Sequence, residues 1–103
     1  MKKPYRKRYI LFKIISDSEI RENLVENAIV SSIKELFGTV GVSEARPKLL
    51  TGFSGKKNVL QIDHRFVQKV KVAMAMIKEI NNKPLILKTE KVYGTLKKIK
   101  EVI

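Results

Sequence analysis

The side chains that most often carry out chemistry are few and scattered in this chain. His64 is its only histidine, and it has no cysteine. A lone His at the end of an apolar run is more often a packing or surface residue than a base or a ligand. Asp63 beside it makes no metal site without a second set of ligands. Asp17, Glu19 and Glu22 lie close together, but acids gather where a helix begins because they complement its dipole. The five glycines are dispersed, so no loop of them cradles a phosphate. No nucleophile occupies a strand-to-helix elbow, and Met74 and Met76 read as core filler. These residues give no case for a stand-alone enzyme, and the chain is expected to bind no metal or cofactor itself.

The cations are patterned. Lys2, Lys3, Arg6, Lys7 and Arg8 crowd the first eight residues with no acid among them, and Lys97, Lys98 and Lys100 crowd the last seven. Across the chain, 22 Lys and Arg stand against 10 Asp and Glu, a formal net charge of +12. A domain this basic faces a polyanion, with nucleic acid the first candidate and an anionic membrane the second. Pro4 argues against a helix, so the N-terminus reads as an extended basic arm. Each phosphate such an arm neutralises releases counterions. Tyr5 and Tyr9, interleaved with the charges, have rings that can stack on bases.

A length of 103 residues reads as one domain, 1–103, and 44% hydrophobic content can fill a modest core. No apolar run approaches the length that spans a bilayer. No secretory leader is expected, because the basic start is not followed by a long apolar region and a small-residue cleavage site. The expected compartment is the cytoplasm.

The elements that must position these charges follow from periodicity. Tyr9–Ile15 is β-branched and aromatic, and apolar on both faces apart from Lys13, as in a central strand. Ser16 and Glu19 have capping-box spacing, with Ser18 an alternative cap, for a helix running to about Phe37 and stopped by Gly38. Thr39–Pro47 reads as a connection with room for one helical turn at Val42–Ala45. Lys48–Phe53 and Val59–His64 form two strands of a hairpin around a Ser54–Lys57 loop, with Leu60 and Ile62 facing the helices. From Arg65 to Ile80 the apolar residues Phe66, Val70, Ala73, Met74, Ile77 and Ile80 keep helical spacing. Asn81-Asn82 is expected to end that helix. Leu85–Leu87 and Val92–Tyr93 form the last strand, and Thr95–Ile103 is a short basic helix or a frayed tail.

The order β-α-β-β-α-β is that of the split-βαβ arrangement of ferredoxin-like and RNA-recognition domains. It predicts an α+β fold with both helices on one face of a four-stranded antiparallel sheet and the other face open. An open face on so basic a protein suits RNA. The third strand, Asn58–His64, lacks the aromatics of the RNA-recognition motif proper.

Four stretches together carry a family resemblance. They are Arg8-Tyr9-Ile10-Leu11-Phe12, the Ala28–Phe37 helix closing on Leu36-Phe37-Gly38, Ala73–Ile80 with Ile77-Lys78-Glu79-Ile80, and Tyr93-Gly94-Thr95-Leu96. In this order they resemble the small protein subunit of archaeal and eukaryotic ribonuclease P, the Pop-five type. Tyr93 stands where family members often have Ser. The resemblance implies an RNA-recognition-like fold and membership of a ribonucleoprotein that removes the 5′ leader from precursor tRNA. It also implies that the RNA subunit, with magnesium, is the catalyst. The implied partners are the ribonuclease P RNA, with precursor tRNA met indirectly, and a TIM-barrel protein subunit in a two-plus-two assembly. On this basis Lys2, Lys3, Arg6, Lys7, Arg8, Lys97, Lys98 and Lys100 are expected to contact RNA. Tyr9, Leu11 and the loop near Gly41 are expected to meet protein.

Two other readings compete. A ligand-sensing or oligomerising ferredoxin-like module would form symmetric dimers without RNA, which the excess of basic charge argues against. Another basic ribonucleoprotein component, of ribosomal type, has the same composition and lacks only the ordered motifs.

Overall fold

The computed structural model describes residues 6–50 and 57–102. Its elements are β1 (Lys7–Ser16), α1 (Glu22–Ala45), β2 (Lys48–Leu50), β3 (Lys57–Asp63), α2 (Val67–Ala75), β4 (Glu79–Ile80), β5 (Lys83–Tyr93) and α3 (Leu96–Val102). A short 3-10 turn, His64–Phe66, leads into α2. The expected Thr51–Phe53 end of the second strand, the Ser54–Lys56 part of the hairpin loop, the arm up to Tyr5 and Ile103 lie outside the described residues.

The strand order is β2-β3-β1-β5-β4, and every neighbouring pair is antiparallel. β1 occupies the centre, as a strand apolar on both faces must. Among the described residues the sheet has five strands, not the expected four. The extra one comes from residues expected to close the second helix. α2 stops at Ala75, and Glu79–Ile80 instead pairs with Pro84 and Lys83. Asn81 and Asn82 have φ of 52° and 65°. Two consecutive left-handed residues are what a two-residue type I′ hairpin turn requires. Asn tolerance of that conformation therefore serves a hairpin here, not a helix end.

α1 begins later than expected, at Glu22, with Arg21 as its N-cap and no side-chain cap. Ser16 Oγ instead accepts the Ser18 amide at 3.1 Å and donates to the Pro84 carbonyl at 3.3 Å, which binds the turn after β1 to β5. The helix breaks at Gly38, whose φ of 75° and ψ of 179° fall in a region essentially closed to other residues. It then resumes to Ala45, so the expected connection is mostly helical. Arg46 caps it in the left-handed conformation, its amide donating to Val42 O at 3.0 Å.

The main core lies between the sheet and the pair α1 and α2. Ile10 and Phe12 of β1, Leu60 and Ile62 of β3, and Leu85 and Leu87 of β5 meet Val25, Ile29, Ile33, Val70, Ala73 and Met74. Each of these side chains except Ala73 contributes about 1.5–3 kcal/mol of gross burial. Two polar contacts align the layers. Ser32 Oγ donates to Ala73 O at 2.6 Å, joining the helices. Glu26 Oε2 accepts the Leu49 amide at 2.7 Å, anchoring the edge strand β2 to α1.

The opposite face is not open along its whole length. Tyr9, Leu11 and Val59 form a second, smaller core with Ile99 of α3, flanked by Leu50, Tyr93 and Leu96. Ile99 is fully buried. Leu96 and Ile99, three residues apart on one helical face, explain why this basic segment docks. No helix among the described residues is long and apolar enough to cross a membrane.

Candidate nucleic-acid interface

The register of β1 gathers the chain's basic ends. Tyr9 pairs with Tyr93, so β1 starts where β5 finishes, and α3 begins three residues later. Lys7 pairs with Asp63, which brings the end of β3 to the same edge. Arg6 is held there by its carbonyl, which accepts the His64 amide at 2.8 Å. Arg8 is half-buried, with Nη1 donating to Lys7 O at 3.0 Å and lying beside Gly94, just before α3. With Ile99 turned into the sheet, Lys97, Lys98 and Lys100 are exposed on α3. Arg6, Lys7 and Arg8 and the α3 lysines thus share one end of the molecule. Lys2 and Lys3 lie outside the described residues.

The residues expected to meet a protein partner are placed differently. Tyr9 and Leu11 are buried, at 8% and 6% exposure, because α3 lies over them. Gly41 is not in a loop. It is buried in the second segment of α1, where a Cβ would come within 2.6 Å of Phe37 Cβ. Its lack of a side chain lets the helix turn closely past Phe37.

Asp63 and His64 form a structural corner. The buried Asp63 carboxylate accepts the Arg65 amide at 2.9 Å, Arg65 Nε at 3.1 Å and Arg65 Nη2 at 3.2 Å, capping the turn into α2. His64 Nδ1 sits 3.3 Å from Asp63 Oδ1 without hydrogen-bond geometry. Burial pushes the Asp63 carboxyl up, but the Arg65 hydrogen bonds and the Arg65 and His64 charges outweigh it and hold it below its ordinary range. Among the described residues, no three His, Asp or Glu side chains are grouped to hold a metal ion.

A second set of cations escaped the sequence reading. Lys13 pairs with Lys57 on one side and Lys88 on the other, forming a row of lysines across three strands on the face that α3 leaves uncovered. Directly opposed like charges repel. Glu90 answers them from a β-bulge: Leu11 pairs with Lys91 and Phe12 with Thr89, leaving Glu90 as the extra residue of β5. Its carboxylate is hydrogen-bonded by Lys57 and lies 3.9 Å from Lys13 Nζ. The Lys57 hydrogen bond, opposed by slight burial and joined by the charges of Lys57, Lys13 and Lys88, holds the Glu90 carboxyl below the usual carboxylate range. The only sign of this row in the sequence was Lys13, the single charge inside an otherwise apolar strand.

Comparison with known proteins gives these surfaces a context. The model of the Rpp14/Pop5 family matches residues 8–103. The chain is 32% identical over 96 residues to ribonuclease P protein component 2 of Pyrococcus horikoshii, covering 92% of this chain and 80% of that protein. It is 35% identical to the protein of the same name from Methanocaldococcus jannaschii, covering 92% of this chain and 70% of the other. The Saccharolobus solfataricus counterpart is 31% identical over 98 residues, with 94% and 68% covered. Among solved structures, a chain of the cryo-EM structure of yeast ribonuclease MRP shares the fold, with a TM-score of 0.62 at 12% identity, covering 99% of this chain and 94% of that one.

Proposed function

Because the chain belongs to the Rpp14/Pop5 family, we propose that it is a non-catalytic, RNA-binding protein subunit of ribonuclease P, supporting a catalytic RNA in removing the 5′ leader from precursor tRNA. The family match over residues 8–103 is the observation that carries this reading. The gathering of Arg6, Lys7 and Arg8 with Lys97, Lys98 and Lys100 at one end supports it, because phosphate neutralisation there releases counterions. Lys2 and Lys3, outside the described residues, are assigned RNA contact by the same reading. Magnesium belongs with the RNA subunit, and the compartment is the cytoplasm. The sheet is read as the ferredoxin-like arrangement of β1, β2, β3 and β5 with β4 added at its edge, which the order β2-β3-β1-β5-β4 supports.

The protein partner is a TIM-barrel subunit in a two-plus-two assembly. Contact through Tyr9 and Leu11 requires α3 to move aside. Leu36 and Val40 on α1, Val72 on α2 and Met76 just beyond it are reachable without any movement, each being at least 42% exposed. The test is cleavage of precursor tRNA by the reconstituted RNA subunit at limiting magnesium, with the TIM-barrel subunit present and this chain added or withheld. Activity that depends on this chain is the expected result. Equal activity without it, in a competent reconstitution, overturns the assignment.

A further inference from the structure

The uncovered half of the second sheet face has a definite composition. One row across the strands is Lys57, Lys13 and Lys88. The next is Ile15 opposite Ile86, which are 51% and 59% exposed. Ile15 and Ile86 each lie two residues along their strands from Lys13 and Lys88, about 6.6 Å away and on the same face, so the rows form one continuous strip. Lys13, Ile15 and Lys57 also border a single open groove of about 410 Å³ together with Ile14 and Ser16. Three lysines against one carboxylate leave a local excess of positive charge, and the two isoleucines beside them remain more than half exposed. An arrangement that costs stability on both counts fits a partner that is anionic along one edge and apolar along the other.

Resting on the RNA-binding reading above, we propose that this strip binds a single-stranded segment of RNA, separately from the basic end of the molecule. Lys13, Lys57 and Lys88 take consecutive phosphates, while the sugars and base edges lie against Ile15 and Ile86. Glu90 is an internal anion that keeps the lysine ammonium groups gathered until a phosphate replaces it. An unstructured strand is the fitting occupant, because among the described residues this half of the face carries no aromatic platform and no element that would enter the groove of a duplex.

The experiment measures binding of an oligouridylate to the full chain across a salt series. Each phosphate contact on a single strand contributes about 0.7 to the salt slope. Replacing Lys13, Lys57 and Lys88 with Ala is therefore expected to lower that slope by roughly 2 and the affinity by tenfold or more. Replacing Lys34, Lys71 and Lys78 on the helical side removes the same net charge and is expected to cost less. Replacing Lys13, Lys57 and Lys88 with Arg should retain binding, and Glu90→Gln should strengthen it by removing the competing carboxylate. If the wild-type chain binds but the two Ala triples lose affinity equally, or the sheet triple loses none, the strip is overturned while the RNA-binding reading stands. If the wild-type chain does not bind the strand at all, both fall. Circular dichroism of each variant verifies the fold.

Discussion

Tyr9 on β1 stands directly opposite Tyr93 on β5, and both belong to the small core that α3 closes. Tyr9, a ring suited to stacking on bases, is therefore interior, Tyr93 is half-buried beside it, and a single helix of seven residues lies over them. Among the described side chains of α3, Ile99 alone is fully buried.

Ile99→Asp is expected to release α3 without unfolding the main core. Burial of a charge beside Leu11 and Val59 is disfavoured, and the loss is limited to the free energy of opening that helix locally. The chain has three Tyr and no Trp, so tyrosine fluorescence reports the change directly. Quenching by acrylamide should rise, and amide exchange over α3 should speed up. Unchanged quenching would mean that contacts other than Ile99 hold the helix.

Gly38→Ala is expected to destabilise the protein by about 1–3 kcal/mol, because φ of 75° with ψ of 179° is accessible almost only to glycine. The space around Gly38 is empty, so the cost is conformational rather than a clash. Gly41→Ala should cost a similar amount for the opposite reason, since its Cβ would press on Phe37 Cβ at 2.6 Å. Urea midpoints measure both. If the two substitutions were neutral, the break in α1 would not be where the structure places it.

The pH response of Asp63 has a definite sign. Its carboxyl is held below its ordinary value in the folded protein. Such a group stabilises the fold at pH above its unfolded value of about 3.9, and this contribution disappears as pH falls through the lower, folded value. Asp63→Asn should lower stability at neutral pH and flatten the decline in urea midpoint below about pH 4. An acid limb as steep in the variant as in the wild type would exclude this carboxylate as a source of acid sensitivity.

Asn82→Ala is expected to cost about 1 kcal/mol, because alanine lacks the local hydrogen bonding that eases Asn into a φ of 65°. Asn82→Gly should be near neutral, since glycine suits the second position of a type I′ turn but loses more chain entropy on folding. Thermal midpoints of both variants test whether the turn is needed. Equal midpoints for Ala and Gly would argue against a left-handed requirement at this position.

Much of the fold was legible because it depends on local pattern. The two-sided apolar character of Tyr9–Ile15 placed it at the centre of the sheet, and alternation in Val59–Ile62 correctly turned Leu60 and Ile62 to the helices. Three things were not legible. Asn81-Asn82 satisfies both a helix end and a hairpin turn, and only the pairing of Glu79 with Pro84 decides between them. The Lys57, Lys13 and Lys88 row depends on strand register, which brings together residues far apart in the chain. The basic ends were readable as charge, but their meeting at one end was not. That follows from the register that sets Tyr9 opposite Tyr93 and from the docking of α3 through Ile99.

Glu90 also decides an even-or-odd question for the end of β5. Before it, the odd-numbered Leu85 and Leu87 enter the main core; after it, the even-numbered Val92 does, and Tyr93 joins Tyr9 beneath α3. Without the extra residue, Val92 and Tyr93 would exchange sides, leaving a phenol aimed at the main core and a smaller aliphatic group beneath α3. A single-codon deletion at this position would therefore be felt far from Glu90 itself, by rotating the chain segment that delivers the C-terminal lysines.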